Sequence, residues 1–147
     1  MRIELDTEPS DADWQAIRQG VREHNLANGP THNPVGGRQT FHVVARDETG
    51  ELVGGLRASC YWDTLHIDLL WVDEPMRGSG MAGAMLSVAE DRARDLHCGM
   101  ALVETASWQA RPFYEKNGFM VAATIEGRPK GSASYFLTKI LDGRETA

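Results

Sequence analysis

The chain has 147 residues, 41% hydrophobic and 24% charged, the size of one ordinary domain spanning 1–147 that can close a core without a metal or disulfide staple. Its 15 Lys and Arg against 21 Asp and Glu leave a net charge of -6, the wrong sign for a surface that rides on a phosphate backbone. An acidic surface suits a cationic small molecule, although solubility alone also accounts for it. Two cysteines, Cys60 and Cys98, form no CxxC, and the five histidines form no H-E-x-x-H, so reduced, packed thiols and no metal site are expected. The start, Met1-Arg2-Ile3-Glu4-Leu5-Asp6, lacks the apolar run of a leader, and no stretch approaches 18 apolar residues. A cytoplasmic protein with no membrane or nucleic-acid partner is expected; its oligomeric state, a homodimer included, stays open.

In chain order, a short strand is expected at residues 2 to 5, then a helix opened by Ser10-Asp11-Ala12-Asp13, an Asp variant of the capping box. Trp14, Ile17 and Val21 follow at helical spacing, and Asn28-Gly29-Pro30 ends the helix. A polar loop from Thr31 to Gln39 leads into a strand from Phe41 to Arg46, and Asp47-Glu48-Thr49-Gly50 turns it into an antiparallel return over Glu51 to Tyr61. Leu65 to Val72 alternates at first and then becomes fully apolar, as a strand does when both faces enter the interior. It is the best central strand in the chain.

Ala82, Met85, Leu86, Ala89, Ala93 and Leu96 form a stripe opposite Glu90, Asp91, Arg92, Arg94 and Asp95, predicting an amphipathic helix over 81 to 97. A buried strand from Met100 to Thr105, a short helix from Gln109 to Asn117 closed by Gly118, and strands Phe119 to Ile125 and Tyr135 to Ile140 complete the order. An antiparallel meander followed by a strand, helix, strand unit gives an α/β (α+β) class with a mixed sheet.

Between the central strand and the amphipathic helix stands Arg77-Gly78-Ser79-Gly80-Met81-Ala82. Glycines strip side chains from such a turn, and the amides of Gly78 to Ala82 can converge on an anion at the positive end of the helix dipole. Without a ligand, the same residues are simply a strand-to-helix turn. The form Arg77-x-x-Gly80-x-Ala82 after Val72-Asp73-Glu74-Pro75 resembles the acetyl-coenzyme A motif of the GNAT superfamily of N-acetyltransferases. Downstream, Ser107-x-x-Ala110-x-x-Phe113-Tyr114-x-x-x-Gly118-Phe119 resembles that superfamily's second conserved segment, with Ser107 where the family usually has Asn.

The resemblance implies a mixed, mostly antiparallel sheet of six to seven strands with helices on both faces and splayed central strands that bind acetyl-CoA. It implies that the backbone of Leu70, Trp71 and Val72 pairs with the pantetheine arm, that the pyrophosphate lands on Gly78, Ser79, Gly80, Met81 and Ala82 beside Arg77, and that Ser107 and Phe113 lie along the cofactor. Tyr114 stands where the family's tyrosine protonates the departing thiolate, whereas Phe119 reads as core. A typical amine is an ammonium at neutral pH, so a base is needed, and Asp68 and Glu104 rank above His66 for it. Trp62, Trp71 and Trp108 are candidate walls, with at least one expected in the core, and the loops at 28 to 40 and 126 to 134 are expected to frame the acceptor.

The segment Glu104-Thr105-Ala106-Ser107 lacks the arginine and asparagine pattern of relatives that acetylate protein N-termini, which favours a small amine such as an amino acid, polyamine or antibiotic. The alternatives are a protein N-terminal or lysine acetyltransferase, a non-catalytic acyl-CoA-binding module, and a nicotinamide oxidoreductase. The last is suggested because Gly78-Ser79-Gly80-Met81-Ala82-Gly83 spells G-x-G-x-x-G with Glu104 about 20 residues on. Against it, the chain beyond Glu104 holds one short helix and cannot build the remaining parallel crossovers.

Overall fold

The computed structural model describes residues 1–30 and 37–143; the expected loop residues Thr31–Gly36 lie outside this range. The chain divides into two compact units, Met1–Asn33 and Pro34–Ala147. In the first, residues 2–5 form no strand. An isolated four-residue run has no ladder to repay its ordering, so the apolar alternation of Ile3 and Leu5 is not enough. Helix α1, Asp11–Asn28, starts as expected: Ser10 is extended, and its hydroxyl accepts the Asp13 amide at 3.1 Å.

The second unit runs β1 (Gln39–Arg46), β2 (Leu52–Tyr61), β3 (Thr64–Val72), a 3-10 turn (Glu74–Met76), α2 (Met81–Asp95), β4 (Met100–Ala106), α3 (Arg111–Lys116), β5 (Met120–Glu126) and β6 (Ala133–Ile140). Among the described residues six strands form one sheet in the order β1-β2-β3-β4-β6-β5, in which only β3 and β4 pair in parallel. That parallel pair is the one bridged by a helix, α2, as a parallel connection requires. The mixed, mostly antiparallel sheet is the architecture expected, with β3 and β4 at its centre.

The first hairpin is closed by chemistry written in its turn. Asp47 accepts from the amides of Thr49 and Glu51 and from the Thr49 hydroxyl, and the hydroxyl bond leads the causes that hold its carboxyl below the ordinary range. On one sheet face, Leu56, Ala58 and Cys60 of β2, Leu65 and Ile67 of β3, Ala101 and Val103 of β4, and Leu137 of β6 pack against Met85, Leu86, Ala89 and Ala93 of α2. Tyr114 and Phe119 join the same cluster, so Phe119 is core as expected.

Two expectations about polarity change. Glu90 lies in the burial zone of α2, not on its polar side, and both its oxygens accept from Lys139 Nζ at 2.9 Å. Burying a carboxylate is tolerable only with such a partner, and this pair ties α2 to β6. In β3 the fully apolar stretch is not buried on both faces: Leu69 is 67% exposed and Trp71 46% exposed.

The cause is a bulge. Leu69 faces Arg57 and Ile67 faces Ala58, so Asp68 has no partner on β2. Leu65 and Ile67 point into the core, Asp68 and Leu69 both point away, and Leu70 and Val72 pack against the cluster again. Consecutive apolar residues here record a shift of phase, which a periodicity reading takes for burial on both faces. The four tryptophans show the same lesson, since Trp14, Trp62, Trp71 and Trp108 are all exposed and none supplies the expected core.

Candidate active site

The parallel pairing of β3 and β4 stops at Ile67 opposite Val103, although β3 continues to Val72 and β4 to Ala106. Beyond that point β3 stays paired with β2 up to Gly54 and β4 with β6 up to Ser134. The two central strands therefore fork, and the inner edge of Asp68–Val72 presents backbone groups without a ladder partner on β4. Buried or ligand-facing, such groups need donors and acceptors from elsewhere, and an extended chain with amides supplies them. Asp68 and Glu104 are the first residues past the last paired couple, one on each arm of the fork.

At the outer end of the fork lies the glycine turn. Gly78 (φ 78°) and Gly80 (φ 85°) occupy the left-handed region, where any other L-residue is strained, and a Cβ at either would meet no protein atom within 4 Å. Gly80 caps α2 without a side-chain bond, and the first amide used inside the helix is that of Ala84, to the Gly80 carbonyl at 3.0 Å. The amides of Met81, Ala82 and Gly83 are thus the unsatisfied donors of the helix start. Open space above glycines and free amides at a helix N-terminus fit a pyrophosphate.

Two side chains of the turn are already engaged. Arg77 Nε donates to the Val72 carbonyl at 3.1 Å, which ties the turn to the end of β3 and occupies that carbonyl, while Ser79 Oγ donates to the Met76 carbonyl at 2.5 Å. A residue the sequence reading missed makes the approach possible. A Cβ on Gly54 would stand 2.9 Å from Met81 Sδ and 3.2 Å from Met85 Cε, so the glycine lets the first turn of α2 lie on β2.

The carboxylates have different surroundings. Asp68 accepts from Ser59 Oγ at 3.1 Å, and Ser59, 3% exposed, shares a 3.2 Å contact with Thr40 Oγ1. Because the Ser59 proton is spent on Asp68, Thr40 is the donor of the second bond. Glu104 is ion-paired with Arg128 of the β5–β6 turn. That turn also meets Ser107, which with Glu126, Gly131 and Tyr135 lines an open cleft of ≈470 Å³. Ser107 binds β6 through its own amide, which donates to Ala133 O at 2.9 Å.

His66 stacks on Tyr61 with ring centroids 4.0 Å apart, and Tyr61 carries the Arg38 guanidinium on its ring at 4.2 Å. Its Nε2 is buried without a hydrogen-bond partner, and burial pushes the imidazole below its ordinary pKa. Tyr114 is 4% exposed, edge-on to Phe113 and Phe119, and burial pushes its phenol up to about 12. The two thiols are inert for the same reason, Cys60 being pushed up to about 12 by burial. Among the described residues no cluster of His, Cys, Asp or Glu could hold a metal ion.

The family model for the GNAT acetyltransferases matches residues 4–119, which takes in the fork and the glycine turn. The chain belongs to the GNAT acetyltransferase family. It is an acyltransferase, and its acyl donor is acetyl-CoA. A blasticidin-S acetyltransferase of Streptomyces morookaense is 41% identical over 104 residues, 70% of this chain and 76% of that one. An acetyltransferase of Agrobacterium fabrum is 29% identical over 85% of this chain and 88% of its own length. Among solved structures, an acetyltransferase of Bacillus cereus superposes with a TM-score of 0.81 at 28% identity, covering 93% of this chain and 97% of that chain. For this GNAT enzyme no helix among the described residues is long and apolar enough to cross a membrane.

Proposed function

We propose that the chain, acting as one domain, transfers the acetyl group of acetyl-CoA to a primary amine of a small, cationic antibiotic-like molecule. The observation that carries this reading is the fork: a carboxylate fixed by a buried hydroxyl stands at its root, and an uncapped helix start stands at its open end. The 41% identical relative that bears the name blasticidin-S acetyltransferase supports the antibiotic class, and the acidic balance of the chain suits a cationic acceptor.

Leu70 and Trp71 offer backbone along the open edge of β3, and Gly78 to Ala82 hold the diphosphate, with Arg77 at their side and Phe113 and Ser107 along the cofactor. When bound, acetyl-CoA supplies a thioester whose carbonyl an amine attacks and whose thiol departs. Asp68 removes the proton of the arriving ammonium, directly or through water, with Glu104 on the opposite arm drawing the cation in. Tyr114 stays a neutral phenol, and since a thiol of about 8.5 is the stronger acid, it acts first as a hydrogen-bond donor to the charge growing on sulfur.

The test is thiol release from acetyl-CoA with a panel of blasticidin S, a streptothricin, an aminoglycoside, spermidine, free amino acids and a peptide with a free N-terminus. Release with an antibiotic amine, and an acetylated product by mass spectrometry, is expected. Release with the peptide alone would move the acceptor to proteins. Coenzyme A binding without release for any amine would make the domain a binding module, and NADH binding in place of coenzyme A would revive the oxidoreductase.

A further inference from the structure

We infer that Arg128 holds the place of a second cationic group of the acceptor, so that Glu104 selects amines carrying a guanidinium or ammonium beyond the one that reacts. The inference rests on the fork being the acceptor site, as proposed above. Glu104 is the first residue of β4 past the last parallel couple, and its carboxylate is paired with the Arg128 guanidinium. Both side chains remain about half exposed, 43% and 53%, so the pair lies at the surface where the fork begins and is not sealed into the core.

The backbone of Arg128 is fastened independently of its side chain, which is paired with Glu104. Its amide donates to Ser132 O at 3.2 Å and its carbonyl accepts from Ser134 Oγ at 3.0 Å. The flanking Gly127 and Gly131 take positive φ with nothing around their Cβ positions. The guanidinium can therefore leave Glu104 by side-chain rotation alone, without unmaking the hairpin. An exposed ion pair is worth little, which makes exchange of one cation for another nearly isoenergetic. A ligand guanidinium arriving at Glu104 replaces like with like, whereas a mono-cation leaves Arg128 where it is. Arg128 acts as a specificity-determining residue through Glu104.

The probes are agmatine, which carries an amine and a guanidinium, and n-butylamine, which carries the amine alone. Their dissociation constants are measured by calorimetry on the coenzyme A complex of the wild type, Arg128→Gln, Arg128→Lys and Glu104→Gln. Arg128→Gln is expected to tighten agmatine roughly three- to fivefold, the scale of an exposed ion pair, and n-butylamine much less. Arg128→Lys keeps a cation on Glu104 and should restore the wild-type ratio, and Glu104→Gln should abolish the preference for agmatine. Equal gains for both amines would reduce the effect to general charge and overturn the assignment. So would weaker agmatine binding in Arg128→Gln, or agmatine that binds none of the four proteins. Failure of the fork as acceptor site is seen separately, as amine acetylation that survives both Asp68→Asn and Glu104→Gln in full.

Discussion

Ser59, buried in β2, gives its hydroxyl proton to Asp68 at 3.1 Å, at the point where β3 carries a residue without a partner. The bond fixes one orientation of a carboxylate that is otherwise solvent-facing. Removing it by Ser59→Ala should lower kcat by roughly tenfold while KM for acetyl-CoA stays near the wild-type value, and Ser59→Thr should recover part of the loss. In an Asp68→Asn background the same Ser59→Ala change should cost little, because the two act as a unit. Equal losses in both backgrounds would make Ser59 a packing residue only.

Gly80→Val introduces a β-branched side chain at φ 85°, with a strain on the order of 1–2 kcal/mol, so the melting temperature should fall. No protein atom crowds that position, so any further effect falls on the ligand. Coenzyme A affinity by calorimetry should drop at least roughly tenfold. Gly50→Val, at φ 88° in the first hairpin and equally uncrowded, is the control: similar loss of stability, unchanged affinity.

Tyr114→Phe should reduce turnover about 100-fold when chemistry is rate-limiting. The pH dependence has a definite sign. With its phenol pushed up to about 12 from 10.0, Tyr114 stays protonated near neutral pH, so an alkaline loss of activity at about pH 8 to 9 does not belong to it. In folding, a raised pKa contributes stability that is complete below pH 10.0 and is lost as pH rises toward about 12. Urea melts at pH 8 and 11 should therefore show wild type losing about 1.4 kcal/mol that Tyr114→Phe retains, since pH 11 lies only midway through the shifted range. Parallel losses in both proteins would contradict the burial argument.

His66 carries the opposite sign. Burial lowers its pKa from 6.5, so its contribution is present above pH 6.5 and is lost as pH falls below it, where the unfolded chain takes up a proton first. His66→Phe keeps a ring against Tyr61 and removes the orphaned Nε2. It should stabilise the fold at pH 7 by about 1 kcal/mol and flatten the acid decline, with turnover changing far less than in Asp68→Asn. A large drop in kcat would return His66 to the list of bases.

The frame of this fold was legible because its strongest signals are local. The stripe of α2, the Asp47 turn, the Ser10 cap and the glycine turn each obey one short-range rule, and the fork followed from the family resemblance alone. What escaped the sequence depends on partners far along the chain. Glu90 reads as surface until Lys139, 49 residues on, is seen to meet it. Ser59 and Arg128 are unremarkable letters until the sheet register puts one beside Asp68 and the other beside Glu104. Gly54 carries no motif, and its role is visible only once Met81 lies on it. The expected strand at 2–5 failed in the other direction, since alternation alone does not supply a neighbour.

The bulge in β3 is in effect an insertion of one residue, Asp68. Strike out Asp68 and the remaining run, Leu65-His66-Ile67-Leu69-Leu70-Trp71-Val72, alternates without a break and sends the same apolar residues inward as before. The core therefore has no need of the extra residue; a chain one residue shorter would pack as well and twist less. A single-codon deletion at 68 is accordingly expected to be absorbed by the fold and, on the role proposed for Asp68, to cost turnover. It straightens the strand where β4 parts from it, and it removes the one carboxylate that the buried hydroxyl holds.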